Sequence, residues 1–262
     1  MNTFDTARVD AALRSTIFHG KLHHFPVIDS TNTRALTDAQ AGAESGQVYI
    51  ADEQTAGRGR GGHTWHSEPD RGLYLTVLVR PEIKGNEALK LSLATGIAAS
   101  DAIHRVTGNS IDLRWPNDLV IPGDGGPSKK CGGILTESSL APDGSLRHAA
   151  IGIGINLNQS DFPADLASTA TSLRRAWGHI ISREDLAIEL LRALHAELQQ
   201  RDATLYDRFE QRSTWVRGKR VHVAEAEGYT GTTAGLTADG LLLVQCDDQQ
   251  TRAVRHGGVR EL

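Results

Sequence analysis

The residues of this chain best suited to chemistry are two arginines set among glycines, in Gln54-Thr55-Ala56-Gly57-Arg58-Gly59-Arg60-Gly61-Gly62-His63-Thr64-Trp65. Glycines permit positive φ and let backbone N–H groups approach a ligand closely. Arg58 and Arg60 add planar donor forks that match carboxylate and phosphate. The combination suits a small anion, or two anions being joined. Arg-Gly tracts also serve as RNA-binding tails, and a solvated hairpin loop would read similarly. This tract is short and single, and strand-like runs bound it: Val48-Tyr49-Ile50-Ala51 before and Leu73-Tyr74-Leu75-Thr76-Val77-Leu78-Val79 after.

Four more constellations carry chemistry. Ser30-Thr31-Asn32 stands at a predicted helix start, where free N–H groups and hydroxyls can bind a polar ligand head; a plain N-cap reads the same way. Arg114-Trp115-Pro116-Asn117-Asp118 ends a strand with an amide and a carboxylate, which can face a nucleotide or Mg²⁺, or simply close an Asx-turn. Lys130-Cys131-Gly132-Gly133-Ile134 puts a lysine at a strand start, where it can reach a phosphate or remain solvated. Gly152-Ile153-Gly154-Ile155-Asn156 imitates a dinucleotide fingerprint but lacks its third glycine, so its glycines point to close backbone approach instead. His19, His23 and His24 lack a paired cysteine or carboxylate pattern and do not read as a zinc site.

These residues need elements to hold them. Residues 7–18 read as a short helix and Pro26-Val27-Ile28 as a short strand. A helix follows from Ser30 to about Ala41 and stops at Gly42. Residues 86–107 form a long buried helix, with Leu89, Leu93 and Ile97 in one row and Ala94, Ala98 and Ala102 in the next. Ile111-Asp112-Leu113-Arg114-Trp115 is strand-like, Asn117 and Asp118 sit at a turn, and the Gly/Pro cluster 123–127 is a loop. Strands follow at 132–137 and 148–158, then a capped helix after Ser182 with Leu186, Leu190, Leu191, Leu194 and Leu198 on one face. Beyond Trp215 short alternating strands and an Asp239-Gly240 turn predict a small β-barrel. The pattern is α+β: a mixed sheet packed with helices in 1–213, then a barrel in 214–262.

Composition narrows the function. A net charge of -4 argues against a protein that binds nucleic acid through bulk charge. Two cysteines, Cys131 and Cys246, make no disulfide framework and fit a reducing cytoplasm. No apolar run approaches the roughly 20 residues needed to span a bilayer, and the N-terminus has no secretion-signal pattern. The expectation is a soluble cytoplasmic protein.

Taken in order, Ser-Thr-Asn, Gly-Arg-Gly-Arg-Gly, Trp-Pro-Asn-Asp, Lys-x-x-Gly-Ile-Leu-x-Glu and Gly-Ile-Gly-Ile-Asn-x-Asn resemble the biotin protein ligases, also called biotin–[acetyl-CoA-carboxylase] ligases, over about residues 26–262. The resemblance implies a catalytic domain similar to class II aminoacyl-tRNA synthetases, followed by an SH3-like barrel. It implies that biotin and Mg·ATP form biotinoyl-5′-AMP, and that a lysine of a biotin carboxyl carrier domain then takes the biotinoyl group. Arg58 and the Gly57 backbone would hold biotin's carboxylate side. Ser30, Thr31 and Gln54 would bind its ureido head, with Asn32 and Gly133 beside them. Arg60 and Lys130 would be the catalytic pair on the phosphate, with Lys130 bridging it to biotin. Trp65 would stack on adenine, Asn117 and Asn156 would fix the nucleotide, and Asp118 is assigned to Mg²⁺. Gly61 and His63 stand where further arginines are usual in the family, and Arg114 replaces a common lysine. About 25 residues precede the first motif, too few for a DNA-binding domain of ordinary size, so no direct DNA binding is expected. Pairing of two copies at the sheet edge stays open. The rival readings are a lipoate or octanoate protein ligase or transferase, and a non-catalytic biotin-binding protein.

Overall fold

The computed structural model describes residues 4–123, 125–200, 204–225, 227–255 and 258–262. Met1-Asn2-Thr3 and Asp124 of the Gly/Pro cluster lie outside the described residues. Seven strands make the main sheet: β1 Leu22–Ile28, β2 Gln47–Gln54, β3 Gly72–Val79, β4 Asp112–Arg114, β5 Asp118–Ile121, β6 Lys129–Leu140 and β7 Leu146–Asn156. Their order is β1-β2-β3-β7-β6-β5-β4. Only β1 and β2 run parallel; every other neighbouring pair is antiparallel.

Every residue of β3 is buried, because helices cover both faces of the sheet there. That is why its sequence is a continuous apolar run and does not alternate. Helices α3 (Leu89–Thr107) and α5 (Arg183–Gln199) pack together on one face, over Leu73, Leu75, Val77, Ile151 and Ile153. Ala98 and Ala102 are fully buried, which fits the close packing their small side chains allow. Leu186, Leu190 and Leu194 are likewise fully buried, each contributing about 1.5–3 kcal/mol. On the other face lies α2 (Thr31–Gln40), with Ala35 and Ala39 against Tyr49, Leu78 and Ala150. The polar residues of the candidate site lie on this α2 side.

Several elements differ from the sequence reading, among them β1, which begins at Leu22 and not at Pro26. The first helix, α1, spans only Thr6–Ala12. The Thr16 hydroxyl donates to the Leu13 carbonyl at 2.8 Å, and Asp10 accepts from the Gly20 N–H at 2.6 Å, so side chains close turns where a longer helix would continue. Asp118 does not end a turn but begins β5, an additional strand whose Leu119 and Val120 are fully buried. Two short helices not foreseen, α4 (Leu173–Trp177) and α6 (Leu205–Gln211), flank α5 in the chain.

The C-terminal part is a second, antiparallel sheet of β8 Arg217–Val223, β9 Tyr229–Leu236, β10 Leu242–Cys246, β11 Thr251–Val254 and β12 Val259–Glu261, in the order β11-β10-β9-β8-β12. Five short strands around Val221, Val223, Leu242, Val244 and Val254 are consistent with the SH3-like unit expected, although no β11–β12 pairing closes a barrel among the described residues. The two sheets touch next to the Trp-Pro-Asn-Asp segment: Trp115 Nε1 donates to the Gly240 carbonyl at 2.9 Å, and the Arg114 guanidinium lies 5.1 Å from the Trp215 ring centre. Among the described residues no helix is long and apolar enough to cross a membrane.

Candidate active site

A cleft opens where the N-terminus of α2, the arginine loop and strands β6 and β7 meet. Its floor is flat because of glycines. Gly133 and Gly154 are paired across β6 and β7, and a Cβ at Gly154 would come within 2.5 Å of Trp65 Cε2. The Trp65 indole lies against both glycines, and its N–H has no partner among the described residues. Gly152, one step along β7, leaves room for the amide of Asn32.

The polar end of the cleft is tightly hydrogen-bonded. Ser30 caps α2 by accepting from the Thr33 N–H. The N–H and hydroxyl of Thr31 donate to Gln54 Oε1 at 2.9 and 3.0 Å, and Gln54 Nε2 donates to Ser67 Oγ at 3.2 Å. The fully buried Thr76 hydroxyl sits 2.5 Å from Asn32 Oδ1 and 2.8 Å from Thr31 Oγ1. Asn32 Nδ2 donates to Glu137 Oε2 at 2.8 Å. Ser30, Thr31, Asn32 and Gln54 are neutral donors and acceptors, a set that suits a neutral, amide-like ligand head.

The cationic end is built from the loop and from β6. Arg58 and Thr64 form a bridge, and the Gly59 N–H donates to the His63 carbonyl at 2.6 Å, so the loop folds as a narrow hairpin. Its tip needs Gly61, whose φ is 69°. Arg58, Gly59 and Arg60 line the cleft. Arg58 Nη2 donates to Glu137 Oε2 at 2.8 Å. Lys130, second residue of β6, places Nζ 5.6 Å from the Trp65 ring centre and 2.5 Å from Asp118 Oδ1. The other Asp118 oxygen accepts from Arg114 at 2.5 Å. Burial pushes the Asp118 carboxyl up, but the Lys130 ammonium and the Arg114 guanidinium together outweigh it and hold it below the usual carboxylate range.

Most predicted site residues are therefore gathered: Ser30, Thr31, Asn32, Gln54, Arg58, Arg60, Trp65, Asn117, Lys130 and Gly133 all line the cleft. Three do not. Asn156 lies buried further along the face of β7 that carries Gly152 and Gly154, where its amide donates to the Thr171 carbonyl at 3.1 Å and accepts from Gln159, and it is not among the residues lining the cleft. Gly57 lies at the base of the loop, its carbonyl accepting from the Trp65 N–H at 2.9 Å. Asp118 stands behind Lys130 with both oxygens engaged by cations, an arrangement that holds the lysine. His63 and Gly61 are exposed and outside the lining. Thr76 and Glu137 were missed. A lone threonine inside an apolar strand run was the signal for Thr76, and the acidic end of the Lys-x-x-Gly-Ile-Leu-x-Glu segment was the signal for Glu137.

A mixed sheet carries a helix N-terminus, a glycine floor and an arginine hairpin around one cleft, and so sets neutral hydrogen-bonding groups beside cationic ones. The biotin/lipoate A/B protein ligase family model matches residues 24–156, and the chain belongs to that family. It is 32% identical over 244 residues to the bifunctional ligase/repressor BirA of Bacillus subtilis, covering 90% of this chain and 73% of that one. It is 35% identical over 176 residues to the biotin–[acetyl-CoA-carboxylase] ligase of Mycobacterium tuberculosis, covering 65% of this chain and 61% of that one. Among solved structures, biotin protein ligase from Aquifex aeolicus in complex with biotin and ATP superposes with a TM-score of 0.78 at 26% identity, covering 93% of this chain and all of that one (100%).

Proposed function

We propose that this chain is an ATP-dependent biotin protein ligase. The observation that carries the reading is the convergence of Arg58, Arg60 and Lys130 on one cleft that ends in the neutral polar pocket of Ser30, Thr31 and Gln54. In the first step a biotin carboxylate oxygen attacks the α-phosphorus of ATP and pyrophosphate leaves. In the second an acceptor lysine amine attacks the acyl carbon, AMP leaves, and the amine loses a proton. Both substrates of the first step are anionic, so prepositioned donors lower its barrier. Arg58 serves the carboxylate, Arg60 and Lys130 serve the phosphate, and Trp65 and Asn117 serve the nucleotide. The pocket lined by Ser30, Thr31, Asn32, Gln54 and Gly133 suits the urea head, which needs donors and acceptors but no counter-charge.

Mg²⁺ would arrive on the triphosphate, as is usual for this cation. Among the described residues no cluster of three His, Cys, Asp or Glu side chains could hold it, and no step is assigned to it. The acceptor we propose is a biotin carboxyl carrier domain of a biotin-dependent carboxylase, the kind of enzyme after which the mycobacterial relative is named. Both cysteines are unpaired and buried, in keeping with a cytoplasmic site of action.

The test is ATP–pyrophosphate exchange by the purified protein with biotin, with lipoate and with neither. Exchange that needs biotin is the expected result. Exchange with lipoate alone would move the chain to the other branch of its family. No exchange with either acid would favour a binding protein without turnover.

A further inference from the structure

Glu137 is a carboxylate at a cleft built to bind anions, and the proposed reaction does not use it. Its Oε2 accepts two bonds, from Arg58 Nη2 and from Asn32 Nδ2, each at 2.8 Å. Asn32 in turn is held through its Oδ1 by the buried Thr76 hydroxyl, which also touches Thr31, and Thr31 donates to Gln54. One unbroken chain of hydrogen bonds thus runs from the neutral pocket to the arginine loop, and among the described residues Glu137 is its charged link to Arg58. A guanidinium has five N–H donors in a fixed plane. Fastening one Nη to β6 orients the rest.

We infer that Glu137 is a positioning residue of the ligase reaction: it holds Arg58 over the cleft and couples the arginine loop to the pocket for the ligand's neutral head. The inference rests on the ligase reading for its catalytic consequence. The latch itself exists without any substrate.

The conservative variant Glu137→Gln keeps the shape and an acceptor for Asn32 but removes the ion pair with Arg58. Partly exposed ion pairs of this kind shift an equilibrium by up to about fivefold. Limited trypsin digestion of the ligand-free protein reads the latch directly, because Arg58 and Arg60 are themselves cleavage sites. Glu137→Gln is expected to speed cleavage there by about fivefold and to raise the biotin KM in pyrophosphate exchange by a similar factor, with kcat changed less. In an Arg58→Ala background the same substitution should change neither the residual cleavage at Arg60 nor KM. Unchanged cleavage in a wild-type-like exchanger, or an undiminished effect without Arg58, would overturn the inference alone. A wild-type chain that shows no biotin-dependent exchange would instead overturn the ligase reading, and with it the catalytic half of this one.

Discussion

Replacing Asp118 by asparagine removes the negative charge shared by Lys130 and Arg114 while keeping the side chain's shape. The magnitude follows from how far the triad is from water. Side-chain exposures are 17% for Asp118, 33% for Lys130 and 24% for Arg114. Exposed pairs contribute about 0.2–1 kcal/mol, and breaking a fully buried one costs about 3–5 kcal/mol. This triad lies between those limits, so Asp118→Asn should destabilise by about 2 kcal/mol and lower Tm by roughly 4–8 °C for a chain of this size. The sign of the pH dependence is fixed by the direction of the shift. A carboxyl held below its unfolded value stabilises fully above that value, about 3.9, and the contribution is lost as pH falls through the lower folded value. The gap between wild type and variant should therefore stay constant from neutral pH down to about 5 and close only in stronger acid. Released from Asp118, the Lys130 ammonium loses its aim, and pyrophosphate exchange should fall by about tenfold to a hundredfold. Thermal melts at several pH values and the exchange assay check both parts. A variant with the wild-type melt and the wild-type rate would show that Asp118 does not hold Lys130.

Lys130→Ala should abolish exchange, by about a hundredfold or more, yet melt close to wild type because Asp118 keeps Arg114; a normal rate would remove Lys130 from the reaction. Gly154→Ala puts a methyl group where the Trp65 ring now lies, 2.5 Å from Cε2, and should cost about 1–3 kcal/mol. The Trp65 emission should shift to the red in that variant, and unaltered emission would mean that the ring does not rest on β7. Thr76→Val preserves volume but strips the hydroxyl from Asn32 and Thr31, which should destabilise by about 1–3 kcal/mol and weaken biotin binding in calorimetry. Cys131 is fully buried and burial pushes its thiol up to about 12, so iodoacetamide at pH 8 should label it only after unfolding; rapid native labelling would contradict the packing of β6.

The parts of this fold that a sequence reader can find are those where one local rule decides. Ser30 before a helix, Gly108 after one and the leucine row of α5 each state their role in a few residues, and the structure places them as stated. The gathered site was legible less from local rules than from five motifs in order: Arg58, Arg60 and Lys130 each had a plain solvated reading, and their roles came from the resemblance. What stayed hidden depends on pairing between distant segments. Asp118-Leu119-Val120-Ile121 becomes a strand because β6 lies beside it, with Asp118 opposite Gly133. Asn156 was assigned by its motif, and strand alternation does put it on the face of Gly152 and Gly154, but its bond to Thr171, fifteen residues away, could not be read from the sequence. The pairing of Asp118 with Lys130 and Arg114 could not be read from the sequence, because it needs β4, β5 and β6 side by side.

The pairing of two site cations with carboxylates has a physical logic. Joining a carboxylate to a phosphate calls for several positive groups in one cleft, and such groups repel one another when no ligand is bound. Arg58 is paired with Glu137, and Lys130 with Asp118. Both carboxylates come from the adjacent strands β5 and β6, so the sheet itself fixes them. A cation held this way is no longer a mobile charge but one end of an oriented dipole, and oriented dipoles need little rearrangement when charge develops on the substrate. The carboxylates thereby reduce the attraction for any anion that drifts in, while keeping the donors aimed. On the ligase reading proposed above, the cleft would favour a ligand whose neutral head engages the pocket at Ser30, Thr31 and Gln54, and whose acid end then meets donors already in place.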